Sequence, residues 1–412
     1  MVPHFQSLLG RMGLGALAFA FALTAAAAGP KAYVGNFKDN SVSVIDTATG
    51  TVVATVPVAA GPHGMGVSPD GRTVYVSGEG SSDVSVIDTA TDRVARTITV
   101  GKTPHGVAMA PDGKLLLVGV YGEDKVVFVD TATQQVVASV PVAKPHTIAI
   151  RSDGKLAYVS SQEPGKFALV VVDLAAHTVI RTLPLEKTPR DLEFGYDGKA
   201  LYYTLAGINA VQVLDPASDK VVAEIPTGAS PHIANYFRGA PAGTVVVQGP
   251  GELMLFNPVT HAALRSIAVG KQPHWVAATG DGKYAYVTNE GSNDVTVVDL
   301  ASGQTKSISV GNAPRKVVVQ RLAVNSAAAG GKVSIANFAF VPPEVTVAPG
   351  QSVTWTNDDG APHGLMYKDG AKGTDLLLPG ASFSRTFDKP GTYDYACSVH
   401  PYMTGKVVVR GL

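Results

Sequence analysis

The sequence repeats itself with a period of roughly forty residues, which is within the range of the units of repeat architectures such as propellers. The clear copies begin at Ala32, Val74 and Ala285 and read AYVGNFKDNSVSVIDTATGTVVATVPV, VYVSGEGSSDVSVIDTATDRVARTITV and AYVTNEGSNDVTVVDLASGQTKSISV. Weaker copies begin near Leu115, Leu156, Ala200 and Thr244. Each copy has alternating apolar and β-branched runs, broken by DTATG-like and PDG or SDG turns, with almost no helical period. We therefore predict seven units of four short antiparallel strands, arranged as a seven-bladed β-propeller.

These units resemble the YVTN family of β-propeller repeats, and the resemblance covers residues 31–320. It implies a fold but little about function, because propellers host many activities. The first unit starts at Tyr33 with the second strand of a blade, and the last ends with an innermost-type strand from Arg315 to Gln320. We predict that residues 30–320 close into a ring by combining strands from both ends of this segment, which removes exposed sheet edges.

The N-terminus carries a basic residue, Arg11, then an apolar run from Gly13 to Leu23 and a small-residue stretch from Thr24 to Gly29. This order is typical of a secretory signal peptide, and the apolar run is too short to span a bilayer comfortably. We predict that residues 1–29 are a signal peptide and that the product is periplasmic or secreted, without stable membrane insertion. Lys+Arg and Asp+Glu both number 33 and no basic run stands out, so no nucleic acid is expected as a partner.

The repeat ends at Gln320, and the sequence after it has a different character. Residues 321–332, RLAVNSAAAGGK, are small and nearly featureless, which indicates a linker. Residues 333–412 alternate strongly between apolar and polar and contain Pro and Gly turns, which predicts a small β-sandwich. The whole chain is therefore expected to be all-β.

The C-terminal segment contains the only cysteine of the chain, Cys397, in the motif CSVHPYM. His400 and Met403 lie in the same motif, and His363 lies upstream in DDGAPHG. A thiolate, two imidazoles and a thioether are the ligands of a blue-copper electron-transfer site. The alternatives are a buried core cysteine and a zinc site, and methionine is a poor zinc ligand.

This segment resembles the cupredoxins, most closely the short amicyanin and pseudoazurin type with its C-x-x-H-P-x-M loop. The resemblance implies one type 1 copper per chain, held by His363, Cys397, His400 and Met403. It also implies a small redox protein as electron donor or acceptor. Many members have Asn directly after the first His, where it tethers the two ligand loops, whereas this chain has Gly364.

Five of the ten histidines occupy one repeat position, after a proline at the entry to the innermost strand. They are His63 in GPHG, His105 in TPHG, His146 in KPHT, His232 in SPHI and His274 in QPHW. In the two remaining repeats this position is Arg190 in TPRD and Arg315 in APRK. Because innermost strands line the axis of a propeller, these side chains are expected to form a ring at one mouth of the channel, in which single arginines separate three adjacent histidines from two. The carboxylates that recur on the same face are Glu79, Glu123, Glu163 and Glu290.

Two interpretations of this ring remain open. In the first, the imidazoles bind additional copper, carboxylates orient them or bind metal themselves, and the arginines bind a small inorganic anion, so that the chain is a copper-dependent oxidoreductase. In the second, the ring is a solvated polar mouth, and the propeller is a non-catalytic binding or surface scaffold with an appended electron-transfer domain. Copper sequestration or delivery is a further alternative.

The plan of a seven-bladed propeller followed by a copper domain is similar to that of nitrous oxide reductase. The tail has one cysteine where a dinuclear copper centre needs two, and the ring has arginines where further histidines would be needed. Nitrous oxide is therefore not the expected substrate.

Overall fold

The structure is a computed structural model that describes residues 30–320 and 331–409, apart from 337, 348, 369, 371 and 372. The chain divides into two compact units, with the division after Gln320. The predicted signal peptide and residues 321–330 of the predicted linker lie outside the described residues. Within the described part of the chain, no helix is long and apolar enough to cross a membrane.

The first unit consists of seven four-stranded antiparallel sheets, which confirms the predicted seven-bladed propeller. The first blade contains β1 (Lys31–Asn36), β2 (Ser41–Asp46) and β3 (Thr51–Pro57). The second contains β4 (Pro62–Val67), β5 (Thr73–Gly78), β6 (Asp83–Asp88) and β7 (Arg93–Thr99). The third contains β8 (Pro104–Met109), β9 (Leu115–Val120), β10 (Lys125–Asp130) and β11 (Gln135–Pro141), with a 3₁₀ turn at Tyr121–Glu123. The fourth contains β12 (Pro145–Ile150), β13 (Leu156–Ser161), β14 (Ala168–Asp173) and β15 (Thr178–Pro184).

The remaining blades follow the same order. The fifth contains β16 (Pro189–Phe194), β17 (Leu201–Leu205), β18 (Ala210–Asp215) and β19 (Lys220–Pro226). The sixth contains β20 (Pro231–Asn235), β21 (Gly243–Val247), β22 (Glu252–Phe256) and β23 (Ala263–Ala268). The seventh contains β24 (Pro273–Ala278), β25 (Tyr284–Asn289), β26 (Asp294–Asp299) and β27 (Thr305–Ser309). The last propeller strand is β28 (Pro314–Val319).

The ring closes by the mechanism expected from the sequence. Strand β28 is the innermost strand of the first blade and pairs antiparallel with β1, so that Ala32 lies opposite Val319. The two ends of the propeller segment are therefore joined by a ladder of backbone hydrogen bonds, and the first blade has no free inner edge.

Within a blade, the position of a strand explains its composition. Strands β1 and β2 are buried along almost their whole length, whereas the outermost strand β3 is mostly exposed. The recurrent DTAT segments form turns in which the aspartate accepts backbone hydrogen bonds; Asp46 Oδ1 accepts from the N–H groups of Ala48 and Thr49 at 2.8 and 3.0 Å. Because the aspartate stabilises the turn by itself, the same tetrapeptide can recur between the two outer strands of successive blades.

The second unit is a β-sandwich, as predicted. Its strands are β29 (Gly331–Ala336), β30 (Ala339–Val341), β31 (Glu344–Val347), β32 (Gln351–Asn357), β33 (Leu365–Tyr367), β34 (Ser382–Phe387), β35 (Gly391–Cys397) and β36 (Thr404–Val409). They form two sheets, in the orders β30-β29-β32-β34 and β31-β36-β35-β33. Strand β29 begins at Gly331, so the last two residues of the predicted linker, 331 and 332, belong to the sandwich. Trp355 and Tyr395 are fully buried and meet edge to face at 5.3 Å, at the centre of the core.

Candidate metal centres

The predicted copper ligands of the C-terminal unit converge. Cys397 Sγ lies 3.6 Å from His363 Nδ1 and 3.8 Å from His400 Nδ1, and the two imidazole nitrogens are 3.3 Å apart. Cys397 and His363 are fully buried, and Met403 is 3% exposed. Two donors bound to one ion at about 2.0–2.3 Å are at most about 4.6 Å apart, so these three atoms are close enough to share a metal ion.

The loop after β35 brings three of these residues together. Cys397 is the last residue of β35, and its N–H donates to Met403 O at 3.0 Å. The N–H of Met403 donates in turn to His400 O at 2.9 Å. The loop therefore folds back on itself before β36 begins, so that Cys397, His400 and Met403 are presented from one short segment.

The position of His363 is fixed from a different segment. Its backbone exchanges two hydrogen bonds with Leu377, at 3.1 and 2.6 Å. Its Nε2 lies 3.0 Å from Asp359 Oδ2, which also accepts from the backbone N–H of Phe338 at 2.8 Å. Because the carboxylate only accepts, Nε2 carries the proton and Nδ1 presents its lone pair to Cys397 and His400. Asp359 was not identified by the sequence analysis; an acidic residue four positions before a ligand histidine is too common a pattern to single out.

The absence of an asparagine at Gly364 does not leave the two ligand loops unconnected. The N–H of Ser398, next to Cys397, donates to Gly364 O at 3.2 Å. A Cβ atom at position 364 would lie 2.3 Å from Ser398 Oγ. A backbone hydrogen bond thus holds the two loops together. With Ser398 opposite, they can come this close only because position 364 is glycine.

His400 lies at the surface among apolar side chains. Its ring contacts those of Phe338 and Tyr402, with centroids 5.0 and 5.9 Å away. Tyr402 is 70% exposed and Met366 is 55% exposed. An exposed apolar patch of this kind is typical of interaction sites.

The propeller brings its five predicted histidines into one continuous cluster. Neighbouring ring centroids are 3.9 Å apart for His63 and His105, 4.0 Å for His105 and His146, and 4.1 Å for His232 and His274. The His63 and His274 rings approach to 5.7 Å although Arg315 lies between them in blade order. The expectation that arginine separates the two groups of histidines is therefore wrong at this position.

The Arg315 side chain does not lie between the His63 and His274 rings, because other groups hold it elsewhere. Its guanidinium lies 3.6 Å from the ring centroid of Phe37, and its Nε donates to Glu290 at 3.2 Å. Its Nη1 is 3.6 Å from Glu79 Oε2. Arg190 is also engaged, donating to Ser230 Oγ and Gln248 Oε1 at 2.7 Å each. Arg315 therefore contacts two carboxylates as well as Phe37, whereas the hydrogen-bond partners of Arg190 are uncharged.

Of the four recurring glutamates, only two lie at the ring. Glu79 and Glu290 both face Arg315. Glu123 instead pairs with Lys125 at 2.7 Å and Glu163 with Lys166 at 3.1 Å, in solvent-exposed positions. Glu123 and Glu163 are therefore not placed to orient imidazoles or to bind metal at the ring, because a nearby lysine pairs with each of them.

Backbone carbonyls fix the tautomers of two ring histidines. His105 Nδ1 donates to His146 O at 2.9 Å, and His274 Nδ1 donates to Arg315 O at 3.0 Å. A carbonyl only accepts, so Nδ1 carries the proton and Nε2 keeps its lone pair in both rings. Neutral imidazoles with a free nitrogen are the form that binds a metal.

Asp191, which the sequence analysis did not identify, orients two further ring histidines, His232 directly and His146 through Thr147. It is 3% exposed, and its Oδ2 lies 2.7 Å from His232 Nδ1. Its Oδ1 accepts from Thr147 Oγ1 at 2.7 Å, and that hydroxyl lies 3.1 Å from His146 Nδ1. Asp191 follows Arg190 directly and occupies a repeat position that carries unrelated residues in the other blades, so no recurrence in the sequence marked it.

Burial controls the charge of these groups. It lowers the pKa values of His63, His105 and His274 well below the usual value, and the neighbouring imidazoles lower them further. Burial alone would raise the pKa of Asp191, but the neighbouring imidazoles, above all that of His232, outweigh it and keep the pKa below its usual value. Burial raises the pKa of Glu79, and the charge of Arg315 opposes that rise.

Two glycines allow the histidines to approach so closely. A Cβ at Gly64, directly after His63, would lie 2.0 Å from His105 O. A Cβ at Gly106, directly after His105, would lie 2.3 Å from His146 O. Each glycine therefore lets its strand lie against the backbone of the next blade, which places the three imidazoles in contact.

Comparison with known proteins agrees with both units. Residues 8–113 match the family model described as YNCE-like beta-propeller, and residues 327–410 match copper binding proteins of the plastocyanin/azurin family. Kuenenia stuttgartiensis hydrazine synthase is a similar solved structure, with a TM-score of 0.60 and 23% identity, covering 70% of this chain and 99% of that chain. At this level of identity the likeness shows the fold alone.

Two curated relatives resemble the C-terminal unit. Amicyanin-alpha from Methylorubrum extorquens is 44% identical over 94 residues, which cover 21% of this chain and 79% of that protein. Amicyanin from Paracoccus versutus is 37% identical over 83 residues, which cover 19% of this chain and 63% of that protein. The chain therefore joins an N-terminal YNCE-like β-propeller to a C-terminal domain that belongs to the plastocyanin/azurin family of copper-binding proteins.

Proposed function

We propose that this chain is a periplasmic or secreted electron-transfer protein whose C-terminal domain holds one type 1 copper through His363, Cys397, His400 and Met403. The observation that carries the proposal is the convergence of Cys397 Sγ with two imidazole nitrogens at 3.3–3.8 Å, in a buried setting beside Met403. The donor set fits copper, because soft sulfur ligands and imidazoles select it. When bound, copper supplies a one-electron couple.

The residues around the ligands have separate tasks in this function. Asp359 holds the His363 ring in one tautomer, and the hydrogen bond from Ser398 to Gly364 keeps the two ligand loops at a fixed separation. A rigid set of ligands suits electron transfer, because little has to rearrange when the charge of the site changes. His400 provides the exposed edge of the site.

The apolar patch around His400 supports a small redox protein as the partner. Phe338 and Tyr402 contact the His400 ring and are exposed. Pro362 and Pro401, next to the ligand histidines in sequence, and Met366, on the strand paired with β35, are exposed as well. Contact through such a patch brings an electron donor or acceptor close to the His400 ring and excludes water from the interface. Apolar contact of limited area also permits rapid release, which a carrier requires.

The test of the copper ligands is the visible spectrum of the copper-loaded chain. Thiolate-to-copper charge transfer should give an intense band, and Cys397→Ser should abolish it while the propeller stays folded. Met403→Leu should keep the copper and shift the reduction potential, since the axial bond is weak. Met366→Leu is the matched control, because Met366 is exposed and should leave both properties unchanged. A band that survives Cys397→Ser would overturn the assignment.

The histidine cluster favours a second function, in which the propeller binds additional copper and a small anion and the chain is a copper-dependent oxidoreductase. Contact between the five imidazoles supports this proposal, as do the hydrogen bonds that fix the tautomers of His105 and His274. Arg190 is the better candidate for an anion, because its partners Ser230 and Gln248 leave its charge uncompensated.

Arg190→Lys should keep the metal and weaken binding of a probe anion such as azide, because lysine lacks the bidentate fork of arginine. Equal binding of azide by this variant would contradict the anion role of Arg190. Absence of turnover in the wild type would favour a scaffold or copper delivery.

A further inference from the structure

Within the histidine cluster, three side chains bring atoms that can bind a metal close together. One ring nitrogen each of His63 and His105 and one carboxylate oxygen of Glu79 lie within 4.8 Å of one another. These residues come from β4, from β8 and from the segment after β5, so three separate chain segments place them together.

Glu79 carries a buried oxygen that the described residues leave without a hydrogen bond. This atom is Oε2, and its nearest cationic group, Arg315 Nη1, is 3.6 Å away, which is too long for a hydrogen bond. Arg315 is held independently by Glu290 and Phe37. The Arg315 guanidinium therefore supplies an opposite charge but no hydrogen bond, and this oxygen keeps its lone pairs for a further group.

His63 is in a comparable situation. Among the described residues its ring has only aromatic contacts, with Phe37 and with the three histidines His105, His146 and His274. His105, His146 and His274 each use Nδ1 in a hydrogen bond, and His232 Nδ1 lies 2.7 Å from the Asp191 carboxylate. The ring nitrogens of His63 therefore have no hydrogen-bond partner among the described residues, and one of them lies within 4.8 Å of the Glu79 carboxylate. Because His105 Nδ1 donates to His146 O, Nε2 is the nitrogen that His105 has free for a metal.

We propose that His63, His105 and Glu79 bind one divalent first-row transition metal ion, which refines the ring proposed above and rests on it. Two imidazoles and a carboxylate suit Cu(II), Zn(II) or Fe(II), whereas Mg(II) and Ca(II) prefer oxygen ligands. Three protein ligands leave a coordination position open, which suits binding of a small molecule. In this assignment His146, His232 and His274 are neighbours that the metal does not require.

The test uses the full-length chain with Cys397→Ser, in which His363 and His400 are also changed to alanine throughout, so that none of these C-terminal ligands binds the added metal. Calorimetric titration with Zn(II) should show one site, with no comparable binding of Mg(II). Adding Glu79→Gln should weaken Zn(II) binding more than about 100-fold, beyond the 10–100-fold typical of changing an outer partner. Glu123→Gln is the matched control, since Glu123 lies in the corresponding loop of the next blade and pairs there with Lys125. It should bind Zn(II) as the Cys397→Ser parent does.

A second measurement keeps the proposal testable if Glu79→Gln misfolds. Electron paramagnetic resonance of the Cys397→Ser chain with one Cu(II) should show two coordinated imidazole nitrogens, and His274→Ala should preserve the signal. Unchanged Zn(II) affinity in a folded Glu79→Gln variant, or loss of the signal in His274→Ala, would overturn this ligand set. Absence of Zn(II) binding in the parent would overturn the ring site altogether, while the charge-transfer band of the unmodified chain would still stand for the C-terminal copper.

Discussion

At the scale of single residues, the copper-ligand region shows how a departure from the family pattern is accommodated. Gly364 replaces the asparagine of many relatives, and the link between the ligand loops is supplied by the backbone of Ser398. The space next to Gly364 is filled by the Ser398 hydroxyl, which a Cβ would approach to 2.3 Å. The two positions are therefore coupled, and a change at one should be corrected at the other.

Gly364→Ala is expected to destabilise the C-terminal domain by about 1–3 kcal/mol, the cost typical of overpacking. Backbone strain is not the cause, because the φ angle of Gly364 lies outside the left-handed region. Adding Ser398→Ala removes the hydroxyl and should restore most of the loss. Thermal unfolding of the metal-free proteins measures both effects, with Ser398→Ala alone as the control. Equal stability of Gly364→Ala and the parent would show that the loops are not packed as described.

At the scale of elements, the sequence predicted the strands, the seven blades and the ring closure, because each of these repeats or has a regular period. It also placed the five histidines at equivalent positions. It could not identify Asp191 or Thr147, since their repeat position is occupied by glycine after His63 and His105 and by unrelated residues elsewhere. Nor could it show that Arg315 turns toward Phe37 and Glu290, because that choice depends on neighbours distant in sequence.

The packing between β4 and β8 gives a prediction at this scale. Gly64→Ala should destabilise the propeller by about 1–3 kcal/mol, because its Cβ would meet the backbone carbonyl of His105, which cannot move independently of its strand. The same change should weaken metal binding at the ring without removing any imidazole. Gly280→Ala is the matched control, since no atom lies within 4 Å of the new Cβ. Chemical denaturation measures the difference, and an equal effect of the two substitutions would contradict this account of the blade contact.

At the scale of the whole molecule, each unit has its own hydrophobic core. The core of the C-terminal unit contains only residues of that unit, among them Val333, Trp355, Tyr395 and Val407. The propeller has core clusters between its blades, including the one around Tyr286 and Val317. Units with separate cores are expected to fold independently.

A protease site inserted between Ser326 and Gly330 should therefore allow separation into two folded fragments. The smaller fragment should retain the coloured copper, and the larger should retain the affinity for Zn(II). Calorimetry of each fragment should show one cooperative transition, at the temperature found for that unit in the intact chain. Aggregation of either fragment, or a large fall in its transition temperature, would show that the units depend on each other.

The number of copper ions per chain, measured together with the visible spectrum, tests the central claim most directly. The account predicts that the reconstituted wild type binds two copper ions and is intensely coloured. Changing Cys397 to serine and His363 and His400 to alanine together should leave one copper ion and no colour, whereas the combined change of His63 and His105 to alanine should leave one copper ion and keep the colour. One copper ion per coloured wild-type chain would refute the ring site, and a colourless wild-type chain with copper bound would refute the type 1 assignment.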